Sequence, residues 1–423
     1  MYYVNCKMNE MVNLSILRCL TQFEGLTYAL LFLFPIGGML VRGWITNIYN
    51  ILFLVGLFYL RKRSQPLFRE ERMYLIICTV YVGIYFLSGL ANGWGPIQTH
   101  DLGTELRFWM IIPIYLLVRE QPNSWRWLLY GSLVGILFIF VQSVYEVHWR
   151  GWATAWGVYS KNIIGPFAAL LAFYILYLWR KRASTLLKVT IVIAFLLAMT
   201  ATALSGSRGA YVGVIAMLVG WLFLRVRARW IFGVAILILG LLTLVYQKTS
   251  IVNNGVNRAL SSFKVYMQEQ DIAHSKTEMD STEIHLEMWR AAKFFFPDHP
   301  LLGVGPGNYQ ATARQYAKEG KVNPAIAQHG HPHNSFLEAL YSKGIIGLVS
   351  LLLLLYYPFY VLLKTRHRSR ASASLGLLHI IGISAFSLFD ASPILFNNYT
   401  SILLLGIAVF FSHHLNQLRP GDR

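Results

Sequence analysis

Three histidines, His329, His331 and His333, alternate within Gln328-His-Gly-His-Pro-His-Asn-Ser-Phe-Leu-Glu338, just ahead of Tyr341-Ser-Lys-Gly344-Ile-Ile-Gly347 and a long apolar run. Histidine is the side chain whose ordinary pKa allows proton transfer near neutrality. Ionisable groups at the mouth of an apolar segment read first as function. Pro332 disfavours helical backbone at His331 and suits a helix start, which predicts His333 in the opening turn of the helix that follows. There it would act as a general base, a role worth about 10²–10⁴ in rate. The plainer alternative is a histidine that hydrogen-bonds a loop carbonyl. Extended backbone would aim all three imidazoles one way, as a zinc site needs, but no cysteine or second ligand helix supports a metal.

Arg208, in Ser205-Gly-Ser-Arg-Gly-Ala-Tyr211, is the second candidate. Small neighbours leave its guanidinium and nearby backbone N–H groups open, and arginine grips phosphate bidentately without losing its charge. The alternative is a helix-end anchor that snorkels to the interface. A helix predicted over 282–296 carries His285, Glu287, Trp289 and Arg290, and Arg290 can either meet an anion or pair with Glu287 three residues back. The glycines of Gly303-Val-Gly-Pro-Gly307 lack the following lysine and preceding strand of a nucleotide-binding loop, so they read as a turn. Trp94, Trp149, Trp152 and Trp156 suit an interfacial belt, with sugar stacking as the alternative.

These residues must be positioned by membrane helices. Of 423 residues, 56% are hydrophobic and 13% charged, with a mean hydropathy of +0.48; a soluble domain carries about 25% charge. Roughly twelve apolar spans can be read, at 23–42, 44–60, 73–92, 106–118, 127–146, 162–179, 186–205, 210–224, 230–247, 337–363, 374–393 and 398–415, each near the length that crosses a hydrocarbon core, with the fourth and eighth on the short side. The net charge of +18 does not mark a nucleic-acid surface. The basic clusters at 61–72, 119–126, 180–188, 225–229, 364–370 and the C-terminus all follow even-numbered spans, the positive-inside pattern. Both termini are therefore expected in the cytoplasm, and the first span, which lacks a small-residue cleavage site, is expected to be retained. Cys6, Cys19 and Cys78 fall in the N-terminal segment and the third span, so no disulfide framework is implied.

Three segments follow: spans one to nine over 1–247, an outward-facing loop over 248–336, and spans ten to twelve with a tail over 337–423. The loop holds six of the twelve histidines and nearly balanced charge, which suggests a folded helical cap. Asp280-Ser-Thr-Glu283 reads as a helix cap. Ile284, Met288, Ala291, Ala292 and Phe295 form one apolar face, Asp298-His-Pro300 ends that helix, and a second covers about 309–318.

Ser-Gly-Ser-Arg208-Gly-Ala, the run from Trp289 through His299-Pro-Leu-Leu-Gly-Val-Gly-Pro-Gly-Asn-Tyr309, and His333-Asn334 followed by Gly344-Ile-Ile-Gly347 together resemble the O-antigen ligase family and its superfamily of glycan ligases and polymerases. The resemblance covers most of the chain. It implies an all-α polytopic membrane protein of about twelve transmembrane helices with one large helical periplasmic loop, similar to C-type glycosyltransferases. It implies transfer of a glycan from undecaprenyl diphosphate to the lipid A core, at the periplasmic face of the bacterial inner membrane, with membrane lipids as surroundings. The family's essential histidine falls on His333 and one arginine on Arg208, with Asn334, Trp289 and His331 in support. A second family arginine, four residues before the aromatic matched by Trp289, is His285 here, which leaves His285 or Arg290 to make the second phosphate contact. No cofactor is implied, since arginines can neutralise the phosphates. A glycan polymerase, a protein O-oligosaccharyltransferase and, from another class, a transporter are the alternatives.

Overall fold

The computed structural model describes residues 23–62, 65–180, 182–225 and 281–418, with isolated positions from 233 to 279. Cys6, Cys19, Asp280, most of the ninth span and most of 248–280 lie outside the described residues. Among the described residues, all regular structure is helical. The helices are α1 (Phe23–Ile36), α2 (Trp44–Tyr59), α3 (Arg69–Ala91), α4 (Pro96–Glu105), α5 (Arg107–Arg119), α6 (Ser124–Val144), α7 (Lys161–Ile175), α8 (Thr185–Ser205) and α9 (Arg208–Arg225). After the loop come α10 (Ser281–Arg290), α11 (Ala292–Asp298), α12 (Tyr309–Lys318), α13 (Ser335–Thr365), α14 (Arg370–Ser387), α15 (Ser392–Leu395) and α16 (Asn397–Asn416).

Six helices among the described residues are long and apolar enough to cross a membrane: α3, α6 with its extension to Trp149, α7 with its extension to Leu178, α8, α13 and α16; α1, α2 and α9 are shorter apolar helices. This is a polytopic membrane protein, with fewer long apolar helices among the described residues than the twelve spans the sequence pattern suggested. The fourth expected span is the 13-residue α5, which carries Pro113 within it. The eleventh, α14, carries Ser372, Ser374, His379 and Ser387, all buried. A helix surrounded by protein can hold polar groups that lipid would not accept. His379, for example, meets Tyr174 Oη at 2.6 Å and the Leu403 carbonyl at 2.9 Å.

The bundle is built around α16, which is buried along its length against α5, α14 and α2. At the opposite extreme, α8 turns Leu186, Val189, Val192, Ile193 and Leu196 outward. Such an apolar exterior belongs in hydrocarbon. Helices α7 and α9 pack together, α9 packs on α14, and α13 packs on α3, which gathers the starts of α7, α9 and α13 around one end of the bundle.

Over that end sits a cap with its own core, in which Met288, Ala291, Phe295, Tyr309 and Tyr316 are buried and Ile284 and Ala292 are partly so. Phe295 stacks on Tyr341 of α13 at 4.4 Å. The expected apolar face is the one that packs, and α11 ends at Asp298 and α12 spans Tyr309–Lys318 as read from the sequence. The single helix expected over 282–296 is instead α10 and α11, broken at Ala291. There the Met288 carbonyl is engaged by Tyr341 Oη at 2.6 Å, and Phe294 N turns back to Ala291 O.

Helix α13 is itself broken. Gly344 adopts φ 65°, ψ −164°, and the carbonyls of Tyr341 and Ser342 accept from Val304 N and Gly305 N at 2.8 and 3.1 Å. Ile345 N and Ile346 N donate in return to Pro300 O and Leu301 O at 2.9 and 3.4 Å. Four backbone hydrogen bonds to the glycine-rich turn thereby satisfy groups that the break takes out of the helix. Behind it, the buried Lys343 ammonium contacts Glu105 Oε1 at 2.7 Å and Tyr81 Oη at 2.9 Å.

Candidate active site

Asn334 makes the first turn of α13. Its Oδ1 accepts from Phe336 N and Leu337 N at 2.9 and 3.0 Å, and its Nδ2 donates to Leu388 O at 3.1 Å. Because asparagine takes the N-cap, His333 lies outside the helix, not in its opening turn as Pro332 suggested. His333 has φ 46°, the one non-glycine residue with positive φ among those described. A bulky residue in that region is strained, and such strain persists where surroundings enforce it. Here His331 Nδ1 accepts from His333 N at 3.3 Å, and Asn334 is pinned on both sides.

The turn brings four histidines together. His333 Nε2 lies 3.3 Å from His329 Nδ1, its ring stacks on His285 at 5.2 Å, and His331 meets it edge-on at 4.4 Å. His333 Nδ1 is buried without a hydrogen bond and faces Asp390 Oδ1 at 3.9 Å. Burial, then repulsion from His333 and Arg208, pushes His285 down to about 3, and burial with the His333 charge pushes His331 down to about 4. His329 is lowered by the same two causes. Burial raises Asp390, but its contacts with His333 and His331 outweigh that and hold it low. The cluster thus sets three neutral imidazoles, His285, His329 and His331, around His333, with one carboxylate anion aimed at it.

Next to His333 opens a cavity of about 260 Å³ lined by Lys161, Asn162, Arg208, Ser281, Thr282, His285, Trp289 and His329, among others. Arg208 Nη2 donates to Ser281 Oγ at 2.8 Å and Nη1 to Thr282 Oγ1, so it ties α9 to α10. Lys161 opens α7, Arg208 opens α9 and Ser281 opens α10. Three helix N-termini meeting at one cavity, with an arginine among them, make an environment for an anion. Arg290 does not line it. Its Nε and Nη2 donate to Glu287 at 2.8 and 2.9 Å, and that fully buried carboxylate also accepts from Asn323 N. Of the two residues left open for the second phosphate contact, the cavity holds His285, in neutral form. Trp289 stands at the cavity edge beside Phe389. His331, His333 and Asp390 also offer three ligand atoms within 4.8 Å of one another, the spacing of a metal site.

Residues 193–352, from the middle of α8 to the middle of α13, match the family model described as O-antigen ligase. Over this segment the chain is similar to the O-antigen ligase family. The matched segment contains Arg208, His285, the glycine-rich turn, His333 and Gly344. The chain is also similar to a Haemophilus influenzae protein described as an uncharacterized protein, at 22% identity over 377 residues, 85% of this chain and 91% of that protein. The family's members are ligase- and polymerase-type enzymes acting on a lipid-linked glycan and an acceptor, and the match supports a general enzyme role for this membrane protein.

Two members of the constellation escaped sequence reading. Lys161 left a signal, as a cation at the outward end of a span, where basic residues should be scarce. Asp390 left only its place near the end of a span, with nothing to link it to a histidine 57 positions away.

The neutral histidines give a stability prediction. His285, His329 and His331 have folded pKa values below their unfolded ones, so the unfolded chain binds more protons as pH falls through about 6.5. The melting temperature of detergent-solubilised protein should fall between about pH 7 and about pH 5. His285→Asn should flatten that slope, and an unchanged slope would show that the ring is not buried in neutral form.

Proposed function

We propose that this protein transfers a glycan from undecaprenyl diphosphate to a hydroxyl of the lipid A core oligosaccharide, as an inverting, metal-independent ligase facing the periplasm of the bacterial inner membrane. The observation that carries this reading is the anion-suited cavity around Arg208 opening directly beside His333. In the reaction, the acceptor oxygen attacks the anomeric carbon and the bond to the diphosphate oxygen breaks. With Nδ1–H turned to Asp390, His333 Nε2 takes the hydroxyl proton in place of its contact with His329. Asp390 then stabilises the imidazolium. Arg208 and the helix N-termini stabilise charge arriving on the leaving diphosphate. Displacement from the opposite face inverts the anomeric centre.

A deletion strain tests the function. Loss of a ligase should leave bare lipid A core and polymerised glycan on its lipid carrier. Core capped by a single repeat unit would instead assign the chain to polymerisation, and an intact lipopolysaccharide with unglycosylated protein would assign it to protein O-glycosylation.

A second reading follows from the spacing of His331, His333 and Asp390. A metal there would activate the acceptor hydroxyl as a Lewis acid. Chelation should abolish transfer in that case and leave it unchanged if His333 is a free base.

The proposed topology keeps both termini in the cytoplasm, 248–336 in the periplasm and about twelve spans between them. Reporter fusions at Arg423 and near Lys276 should give opposite signals; matching signals would overturn the topology.

A further inference from the structure

We infer that Lys161 makes the second cationic contact to the donor diphosphate, in place of the family arginine whose position on α10 holds His285. The inference rests on the donor reading above. A diphosphate ester carries about two negative charges near neutrality, and Arg208 answers one of them. His285 is held neutral by burial, and Arg290 is held by Glu287, whose buried carboxylate would lose its cation if Arg290 swung away. Lys161 lines the same cavity as Arg208, from α7, which packs against α9.

Two further observations fit. No side chain caps the N-terminus of α7, where Ser160 holds the N-cap in extended backbone, so the amides of its first turn reinforce the positive charge at Lys161. Asn162, the next residue, also lines the cavity and approaches Ser207 Oγ at 3.5 Å, which links the α7 start to the Arg208 turn. A lysine is a point charge on a flexible stem and can follow a phosphate that Arg208 fixes in orientation. The two cations that the family resemblance implies would thereby come from the starts of α9 and α7.

The test uses the full chain purified in detergent, titrated with farnesyl diphosphate and farnesyl monophosphate and followed by thermal shift. Lys161→Ala should weaken diphosphate binding about 10- to 100-fold, the value of one charge-assisted contact, with little effect on monophosphate. Lys161→Arg should recover most of it. In transfer assays the same Lys161→Ala variant should raise the donor KM and leave the acceptor KM alone, a split that a merely structural role would not produce. Arg208→Ala should weaken both ligands, and Arg208→Lys should recover little. Should Lys161→Ala fail to fold, Lys161→Gln asks the same question with the stem retained. Wild-type preference for diphosphate in the lysine variants, with loss in Arg208→Ala, would overturn the inference and spare the donor site. Wild-type binding in both would overturn the donor site itself.

Discussion

His333→Ala should abolish glycan transfer and leave a folded, membrane-inserted protein. The expected loss is about 10²–10⁴ in kcat, the span of a general base. Folding should survive because α13 is capped by Asn334, not by His333, and the imidazole Nδ1 makes no hydrogen bond. His333→Gly is the sharper variant. It accepts φ 46° without strain, so it removes the base and keeps the turn, and added imidazole should restore part of the rate. His329→Ala and His331→Ala should cost less, the latter mainly by loosening the contact to His333 N. Comparable losses at His331, His333 and Asp390, each reversed by added zinc, would replace the base with a metal site.

The histidine proposed as the base was legible as a candidate because His-Pro-His-Asn before an apolar run puts ionisable groups where function is the first reading. Its backbone was not, because proline and asparagine both signal a helix start and only their tertiary partners rank them. Asn334 wins since Leu388 O and the amides of Phe336 and Leu337 all bind it at once. Asp390 and Lys161 join His333 and Arg208 through the packing of α14, α7 and α9, and no spacing along the chain encodes that. The protonation state of His285 was likewise invisible. A histidine in a family arginine's place suggests a titrating cation, whereas burial beside Arg208 and His333 makes it a neutral ring.

In the fold, composition and apolar runs found the membrane helices, and 3.6-residue spacing found the packed face of the cap. Periodicity failed where a helix breaks for a reason outside itself. The break at Ala291 answers to Tyr341 on another element, and the break at Gly344 answers to a turn forty residues earlier. The glycines of both partners were visible as a turn and as a motif, but their mutual docking was not.

That docking predicts the largest effect on stability. Gly344→Ala should cost the protein its folded state, or leave it poorly extracted and inactive. A Cβ at Gly344 would stand 2.2 Å from Leu301 O and 2.6 Å from Leu302 N, both backbone atoms that cannot swing aside. The conformation alone, φ 65° with ψ −164°, is one that side chains avoid, at a cost of about 1–3 kcal/mol before any clash. Relief would require the 300–305 turn to lift, breaking the four bonds that pair it with α13 and freeing the α13 start that aims Asn334 and His333. Gly303→Ala should behave alike, since its Cβ would meet Tyr341 O at 2.4 Å with φ 68°. Gly83→Ala, within α3 and with nothing within 4 Å, is the control that should melt like the wild type. Size-exclusion profiles and melting curves in detergent read the outcome. A Gly344→Ala protein with wild-type melting and activity would mean that α13 runs unbroken through this point, and that the turn does not hold the catalytic loop in place.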